Sequence, residues 1–460
     1  MMLSEQLAEF VWSRGSEQIG PEIWEKAKQF FMDALGCAIA GANEPAVKIV
    51  LESRRGVAGR PIATVIGGGG ERLDAESAAM VNGTAAHIHD FDDGTTAMRG
   101  HPSCVMLPTV LACGEECGST GAEVLCAYIV GIEVCGLLGR GLNPAHYTRG
   151  WHNTSTIGIF GATAAAGKLM GLNKKQLISA FGIAASESSG LKGNFGTMCK
   201  SLHAGRAAAK GIMAAKLAKL GLEASPAIFE DGHGNFADVT TGGMDRDRIV
   251  RLLETEPSCF EEPGLDFKVY PSCGASHNGI DSIMQMKREY GLEPENVKYI
   301  RCRVQPVTRD LLRYQTPQTP LQGKFSLQYC LALALQKDVI ELSDFEGEQI
   351  TDPKLLDLIG KIEMVTDETI ADGAYFRSDF RWDMVVEVEL TDGTVLSSRV
   401  EYASGDPHLH LEPGVLERKF LSCACRVMSQ MKVEELLQLV KRVDELEHIR
   451  ILTEAASGKE

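Results

Sequence analysis

The chain of 460 residues is 44% hydrophobic and 23% charged, and its formal net charge is −16. That length is sufficient for two or three domains with a large core, and the composition is that of a globular protein. The acidic balance argues against a nucleic-acid or anionic-lipid surface, and we find neither a signal peptide nor an uncharged apolar run of about 18 residues, so we expect no nucleic-acid partner and no membrane span.

Residues up to about Leu265 are predicted to be helical almost throughout. Pro21 can begin one helix at its favoured first position, and Asp74 can cap another that ends in the motif HIHDFDD. Long helical patterns follow from Ser103 to Cys117 and from Gly121 to Leu142. Two later segments, GIFGATAAAGKLMG and AGRAAAKGIMAAKLAKLG, place Gly or Ala every three or four positions, which lets helices pack closely.

The pattern changes after Leu265. VKYIRCRVQP alternates as a strand does, FSLQYCLALALQ is an apolar helix, and WDMVVEVELTDGTVLSSRVEY predicts a hairpin around its Asp-Gly pair. Helical periodicity returns after Gly414. We therefore predict a mainly α fold, in which both chain ends (residues 1–265 with 406–460) form a large helical domain and residues 266–405 form a smaller inserted α+β domain.

Titratable residues are concentrated in the segment NGTAAHIHDFDDGTTAMRGHPSCVMLP, residues 82–108. Small and apolar residues flank it, so the cluster lies in a region that otherwise resembles core. Buried carboxylates and imidazoles are costly unless they are paired, bound to a metal or used in catalysis. Three histidines and three aspartates within fifteen residues therefore make it the first candidate for chemistry: His87, His89, His101, Asp90, Asp92 and Asp93.

A metal site is one interpretation of this segment. On a helix, however, His87 and His89 point apart and cannot share a ligand face, whereas Asp90 and Asp93 would share one. Asp92 is then expected to be a helix-end or salt-bridge residue. Because no second His-Asp pair completes a ligand set, we predict that no metal is bound.

His101 lies just before a predicted helix that Ser103 can cap. The helix dipole at that position disfavours an imidazolium and favours anions. A neutral imidazole beside an anion-binding helix end suits proton transfer, although a loop histidine bonded to the backbone is an equally good interpretation.

Two further clusters indicate anion binding. HYTRGWHNTS, with Tyr147, Arg149 and His152, opens the small-residue helix that begins near Thr154. Lys200, His203 and Arg206 follow one side of an otherwise Ala- and Gly-rich helix. Cations on a buried helix need anions, which either the carboxylates of the first segment or a polycarboxylate substrate can supply; a purely structural ion-pair network is the alternative.

Cysteine usage indicates the compartment. The thirteen cysteines include no CxxC pair and lack the spacing of a disulfide framework. We therefore expect reduced thiols in a cytoplasmic protein.

The motifs HIHDFDD…GHPS…LPTVLA, RGWHNTSTIGIFGATAAAGKLMGL, CKSLHAGRAAAKGIMAAKLA and KVYPSCGASHNGID resemble, in order, the signatures of the MmgE/PrpD family. Its members include 2-methylcitrate dehydratase, cis-aconitate decarboxylase and iminodisuccinate epimerase. The resemblance implies a helical domain with an inserted α+β lid domain, a homodimer, no organic cofactor and a small polycarboxylate substrate.

The resemblance also implies site residues. Carried over by motif, they are Asp90, His101, His152, Lys200, His277 and Tyr329. Tyr147 is similar to a tyrosine that, with the lysine matching Lys200, is assigned to proton transfer in the epimerase. The decarboxylase-like pattern has Thr where this chain has Gly94, and one residue is added before His101; Thr95 can substitute for the missing hydroxyl.

We therefore expect a cofactor-independent lyase that dehydrates or decarboxylates a di- or tricarboxylate through a carbanion stabilised by cationic groups. An epimerase or racemase using the same proton abstraction is the alternative, and a metal-dependent hydrolase built on His89 and Asp90 is less favoured. The predicted catalytic residues are Asp90, His101, Tyr147, His152 and Lys200. The predicted substrate-binding residues are Thr95, Arg149, His203, Arg206, Lys268, His277 and Tyr329.

Overall fold

The computed structural model describes residues 1–57, 59–230, 233–255, 258–347, 349–370 and 382–459. Helices dominate the described ranges, which confirms the predicted mainly α class. Their bounds are α1 Leu3–Ser13, α2 Pro21–Gly41, α3 Pro45–Arg55, α4 Ala75–Ile88, α5 Ser103–Cys117, α6 Gly121–Leu142, α7 Ala145–Thr148, α8 Asn153–Thr156, α9 Gly158–Leu169, α10 Lys174–Glu187, α11 Met198–Lys219, α12 Phe236–Thr241, α13 Arg246–Thr255, α14 His277–Tyr290, α15 Pro306–Leu311, α16 Pro320–Gly323, α17 Leu327–Gln336, α18 Pro353–Gly360, α19 Val415–Ala424, α20 Gln430–Lys441 and α21 Arg450–Ala456.

The strands form two small sheets. β1 (Ala63–Thr64) and β2 (Arg72–Leu73) are a short antiparallel pair. The larger sheet has the order β4-β3-β5-β6, with bounds β3 Val297–Val304, β4 Ile362–Thr366, β5 Met384–Leu390 and β6 Val395–Ser398. β3 and β4 are parallel and the other neighbours are antiparallel, so the predicted hairpin is present as β5–β6.

The hydrophobic residues form two large buried clusters. One is built from helices α1 to α6, α9 to α13 and α19 to α21. The other is built from the four-stranded sheet and the helices around it, from Cys273 to Val388, and it also takes in Tyr147 and Phe195. Both chain ends thus contribute to the first cluster, whereas the proposed domain boundaries at 265/266 and 405/406 stay predictions.

Glycine allows α4 and α11 to approach closely, as the small-residue pattern predicts. A Cβ added at Gly205 would lie 2.1 Å from the carbonyl oxygen of Met80, and one added at Gly83 would lie 2.8 Å from the Cα atom of Gly205. Contacts this short leave no room for a side chain. The contact fixes α11, which carries Lys200, against the helix that leads into Asp90.

Helix α6 is long and apolar enough to cross a membrane. However, 83% of its most apolar 18-residue window is buried inside the protein, as expected of a helix in a large core. One such helix is weak evidence for a membrane span, and the absence of a span stays a prediction.

A buried ion pair connects the C-terminal helices to the rest of the helical core. The Nζ atom of Lys419 on α19 lies 2.7 Å from an oxygen of Asp33 on α2, and both side chains are buried. Lys419 also donates to the carbonyl oxygens of Phe91 (2.7 Å) and Lys268 (2.9 Å). Helix α19 therefore holds two backbone segments that lead into the candidate site.

Candidate active site

The loop between α4 and α5 places the main charged groups. Helix α4 ends at Ile88, and Asp90 then adopts a left-handed backbone with φ 51°. The prediction that Asp90 and Asp93 share a helix face is therefore wrong, because the helix stops before either residue. His89 caps the helix end, and its Nε2 lies 3.3 Å from the carbonyl oxygen of Ala40, away from the other histidines of the motif.

Asp90 is the centre of the site. Its Oδ1 accepts hydrogen bonds from the Nζ atoms of Lys200 and Lys268, both at 2.8 Å. All three residues are at most 5% exposed. Burial alone would raise the pKa of Asp90, but the two ammonium groups outweigh it and hold that pKa well below its usual value. Oδ2 is buried and has no hydrogen-bond partner among the described residues, so it is a ready acceptor.

Lys200 belongs to a second chain of contacts through His87. Its Nζ lies 2.9 Å from His87 Nε2, and His87 Nδ1 lies 2.9 and 3.0 Å from the two oxygens of Asp92. Burial lowers the pKa of His87, so the neutral ring donates from Nδ1 to Asp92 and accepts at Nε2 from Lys200. The motif alone does not identify this His87–Asp92 pair as part of the site.

Asp93 bonds to Ser103 rather than to the charged groups around Asp90. The sequence predicted Asp93 beside Asp90 and Asp92 elsewhere, whereas in the structure Asp92 joins the cluster through His87. The Asp93 carboxyl accepts from the hydroxyl of Ser103 at 2.5 Å and from the Ser103 amide at 3.2 Å. Ser103 is the first residue of α5 rather than its cap, so the predicted capping role of Ser103 is wrong; the Asp93 side chain satisfies the helix start instead. Burial raises the pKa of Asp93 well above its usual value.

His101 presents a neutral nitrogen to the site. Its Nδ1 donates to the carbonyl oxygen of Asp93 at 2.7 Å, which leaves Nε2 unprotonated, 3.7 Å from Asp90 Oδ1. Burial and the charge of Lys268 lower the pKa of His101 to about 3. The lowered pKa supports the prediction that His101 is neutral at neutral pH. The hydrogen bond from Nδ1 to the Asp93 carbonyl oxygen sets its tautomer.

His152 is held from behind by His203. Their Nδ1 atoms are 3.1 Å apart, and His203 Nε2 lies 3.7 Å from the sulfur of Cys199. The Nε2 atom of His152 is buried and lacks a hydrogen-bond partner in the described ranges. Burial, reinforced by Lys200, holds the pKa of His152 well below its usual value, so the ring is neutral.

These groups surround one cavity. Of the predicted site residues, those that line it are Asp90, Thr95, His101, Tyr147, His152, Lys200 and Lys268. Arg99, Asp266 and Trp382 also line it, and none of these three was predicted. Arg99 lies in the titratable segment of residues 82–108, two residues before His101. That proximity is the signal by which the sequence could have predicted Arg99 as a site residue.

The remaining predicted residues lie outside the cavity lining. His203 lies behind His152, Arg206 is exposed, and Arg149 is directed towards Gly242. His277 Nε2 lies 3.2 Å from the carbonyl oxygen of Ser272, and Tyr329 donates to the carbonyl oxygen of Asp344 at 2.6 Å. Their roles in substrate binding stay predictions.

Comparison with known proteins gives matches over most of the chain. The MmgE/PrpD N-terminal domain matches residues 5–248, and the MmgE/PrpD C-terminal domain matches residues 270–445. Cis-aconitate decarboxylase of Homo sapiens is 28% identical over 447 residues, which cover 94% of this chain and 90% of the relative. Cis-aconitate decarboxylase of Aspergillus terreus is 26% identical over 478 residues (98% and 95%). The mitochondrial 2-methylcitrate dehydratase of Yarrowia lipolytica is 26% identical over 405 residues (83% and 76%).

Four side chains of the site have the spacing of a metal centre. One ligand atom each from His87, Asp90, Asp92 and His101 lie within 4.8 Å of one another. However, the ammonium groups of Lys200 and Lys268 already bond to Asp90, and Lys200 also bonds to His87. Both ring nitrogens of His87 are also in use, on Lys200 and on Asp92. A divalent cation would therefore lie against two ammonium groups and compete for donors that are already bonded, so the donor set fits ammonium groups better than a metal.

We therefore expect dialysis against EDTA to leave the thermal midpoint of the purified protein unchanged, because no bound metal contributes to its stability. Elemental analysis should find no stoichiometric divalent metal. One equivalent of zinc, iron or manganese, with a lower midpoint after its removal, would contradict this assignment.

Proposed function

Because the chain belongs to the MmgE/PrpD family, we propose that it is a lyase that acts on a small tricarboxylate without a metal or an organic cofactor. The single observation that carries the proposal is the cavity in which two buried lysines meet one carboxylate beside two neutral histidines. Relatives that match 94–98% of the chain are named as cis-aconitate decarboxylases, which favours decarboxylation over dehydration.

The reaction explains why cationic groups are needed. When an unsaturated tricarboxylate loses carbon dioxide from its saturated arm, the electron pair of the broken C–C bond shifts over the double bond. It comes to rest on the carbon beside a second carboxylate, and that carbon then takes up one proton. The intermediate carries an added negative charge next to an existing one, so fixed cations must stabilise it.

Lys200 and Lys268 supply this stabilisation. Both ammonium groups are held in place by Asp90, so they need not reorganise as the charge develops. An ammonium group has three N–H donors, and Lys200 uses two of them, on His87 and Asp90. The third N–H is available to the substrate and makes Lys200 the proposed proton donor to the carbanion.

His87 and Asp92 support this transfer. After Lys200 gives up its proton, its amine can accept another from solvent or from a group in the cavity. The hydrogen bond to His87 Nε2 keeps the Lys200 Nζ atom in place during this exchange. His101 Nε2 is the neutral base that can hold a proton in the same cavity. An epimerase needs proton transfer on two faces of the substrate, and Lys200 and Tyr147 are the groups that the family resemblance assigns to that alternative.

Proton NMR in D2O with cis-aconitate and 2-methylcitrate as candidate acids tests the proposal. New vinyl signals with release of carbon dioxide indicate a decarboxylase, and a new alkene without carbon dioxide indicates a dehydratase. Deuterium exchange without net conversion would show an epimerase instead. A protein that leaves every candidate di- and tricarboxylate unchanged would contradict the lyase assignment.

Lys200→Met should lower turnover by a factor of about 100 or more, because it removes both the proposed proton donor and a fixed cation. We expect the fold to persist, since Asp90 keeps its bond to Lys268. Lys216→Met is the matched control on the same helix: Lys216 is half-buried and pairs with Glu116 at 2.9 Å, far from the cavity lining.

Initial rates and thermal midpoints should be measured for both variants. If Lys200→Met turns over within a few-fold of the wild type while its midpoint falls, Lys200 is structural. The assignment of the active site to α11 would then be withdrawn.

A further inference from the structure

The inner part of the cavity is already balanced in charge before a substrate enters. Lys200 and Lys268 face Asp90, and Asp92 pairs with His87 beside them. Asp266 lines the same cavity, and burial raises the pKa of its carboxyl to about 6, so it is largely ionised at neutral pH. Two positive groups therefore meet at least two negative ones. A substrate with several carboxylates needs further positive charge to bind here.

Arg99 brings such a charge to the cavity. It lines the cavity from the loop between α4 and α5, and it adopts a left-handed backbone with φ 54°. A short turn holds this conformation: the Arg99 amide donates to the carbonyl oxygen of Thr95 at 2.8 Å, and the Thr95 amide donates to that of Gly100 at 3.1 Å. An arginine there is strained where a glycine would not be, which suggests a function for its side chain.

Lys192 adds a second cation beside the cavity. It lines the adjoining groove rather than the cavity itself, and the Tyr147 ring lies between the two. The Nζ atom of Lys192 lies 3.8 Å from the centre of the Tyr147 ring, and Tyr147 lines the cavity. Burial lowers the pKa of Lys192 to about 8, and repulsion from Arg313 and Arg99 acts in the same direction against the attraction of Asp310. Positive groups that repel one another at a cavity mouth are relieved when an anion binds between them.

We propose that Arg99 and Lys192 form a second carboxylate subsite at the mouth of the cavity. This subsite binds a substrate carboxylate that does not react, and it makes the cavity select tricarboxylates over dicarboxylates. This subsite rests on the proposed function, because it assumes that the substrate binds in this cavity. Lys200 and Lys268 then act on the reacting end, while Arg99 and Lys192 hold the opposite end.

Binding of two unreactive acids separates this subsite from catalysis. Tricarballylate and glutarate share a five-carbon diacid chain, and only tricarballylate carries a third carboxylate. Isothermal titration calorimetry should show that the wild type binds tricarballylate at least about tenfold more tightly than glutarate, as expected for one charged hydrogen-bonded contact. Arg99→Met and Lys192→Met should each reduce this preference to threefold or less, whereas Arg309→Met, an exposed arginine in the adjoining groove, should keep it.

Arg99→Gly adds a stability readout. Glycine accepts the positive φ without strain, so its thermal midpoint should equal or exceed that of the wild type while the preference for tricarballylate is lost. A structural arginine would instead lower the midpoint and spare the preference. Equal affinities of the wild type for the two acids, or an unchanged preference in Arg99→Met and Lys192→Met, would overturn the subsite. Because turnover is not measured, a protein that shows the predicted preference but converts no acid would keep the subsite and lose the lyase proposal.

Discussion

One buried carboxylate, shared by two lysines from distant parts of the chain, is the interaction on which the site depends. Asp90 follows α4, Lys200 lies on α11, and Lys268 lies in the irregular segment between α13 and α14. Removing Asp90 would leave two buried ammonium groups without the carboxylate that they share, which costs about 3–5 kcal/mol, whereas removing one lysine leaves Asp90 paired with the other. The close contact of α4 with α11 and the bonds from Lys419 to the backbone of Phe91 and Lys268 hold these segments in place. The fold therefore holds the three charged groups in a fixed arrangement.

Much of the secondary structure follows from local patterns. The bounds predicted for α5 and α6 agree with the structure, and the Asp-Gly hairpin is present, because periodicity and turn chemistry act over a few residues. The segment around HIHDFDD is correctly predicted to hold the titratable cluster. The helical region predicted after Gly414 is present but is divided into α19, α20 and α21, because the helices end at Ala424 and at Lys441.

The detailed site could not be predicted in the same way. Whether Asp90 faces Asp92 or Asp93 depends on where α4 ends, and the helical periodicity of the sequence does not predict the left-handed backbone at Asp90. Tyr329 and His277 show that a residue predicted from a family motif need not line the cavity. Both lie in motifs that resemble the family's site, yet their polar atoms bond to nearby backbone carbonyls, because spacing along a chain does not say which way a buried side chain turns.

A double-mutant cycle on Asp90 and Lys268 tests the central claim most directly. The free energy of unfolding would be measured for the wild type, Asp90→Asn, Lys268→Met and the double variant at neutral pH. The shared, buried carboxylate predicts a coupling energy of about 2 kcal/mol or more between the two positions. Changes that add within about 0.5 kcal/mol would show that the two groups do not form an energetically significant pair, and would contradict the central role of the Asp90 carboxylate in holding the site together.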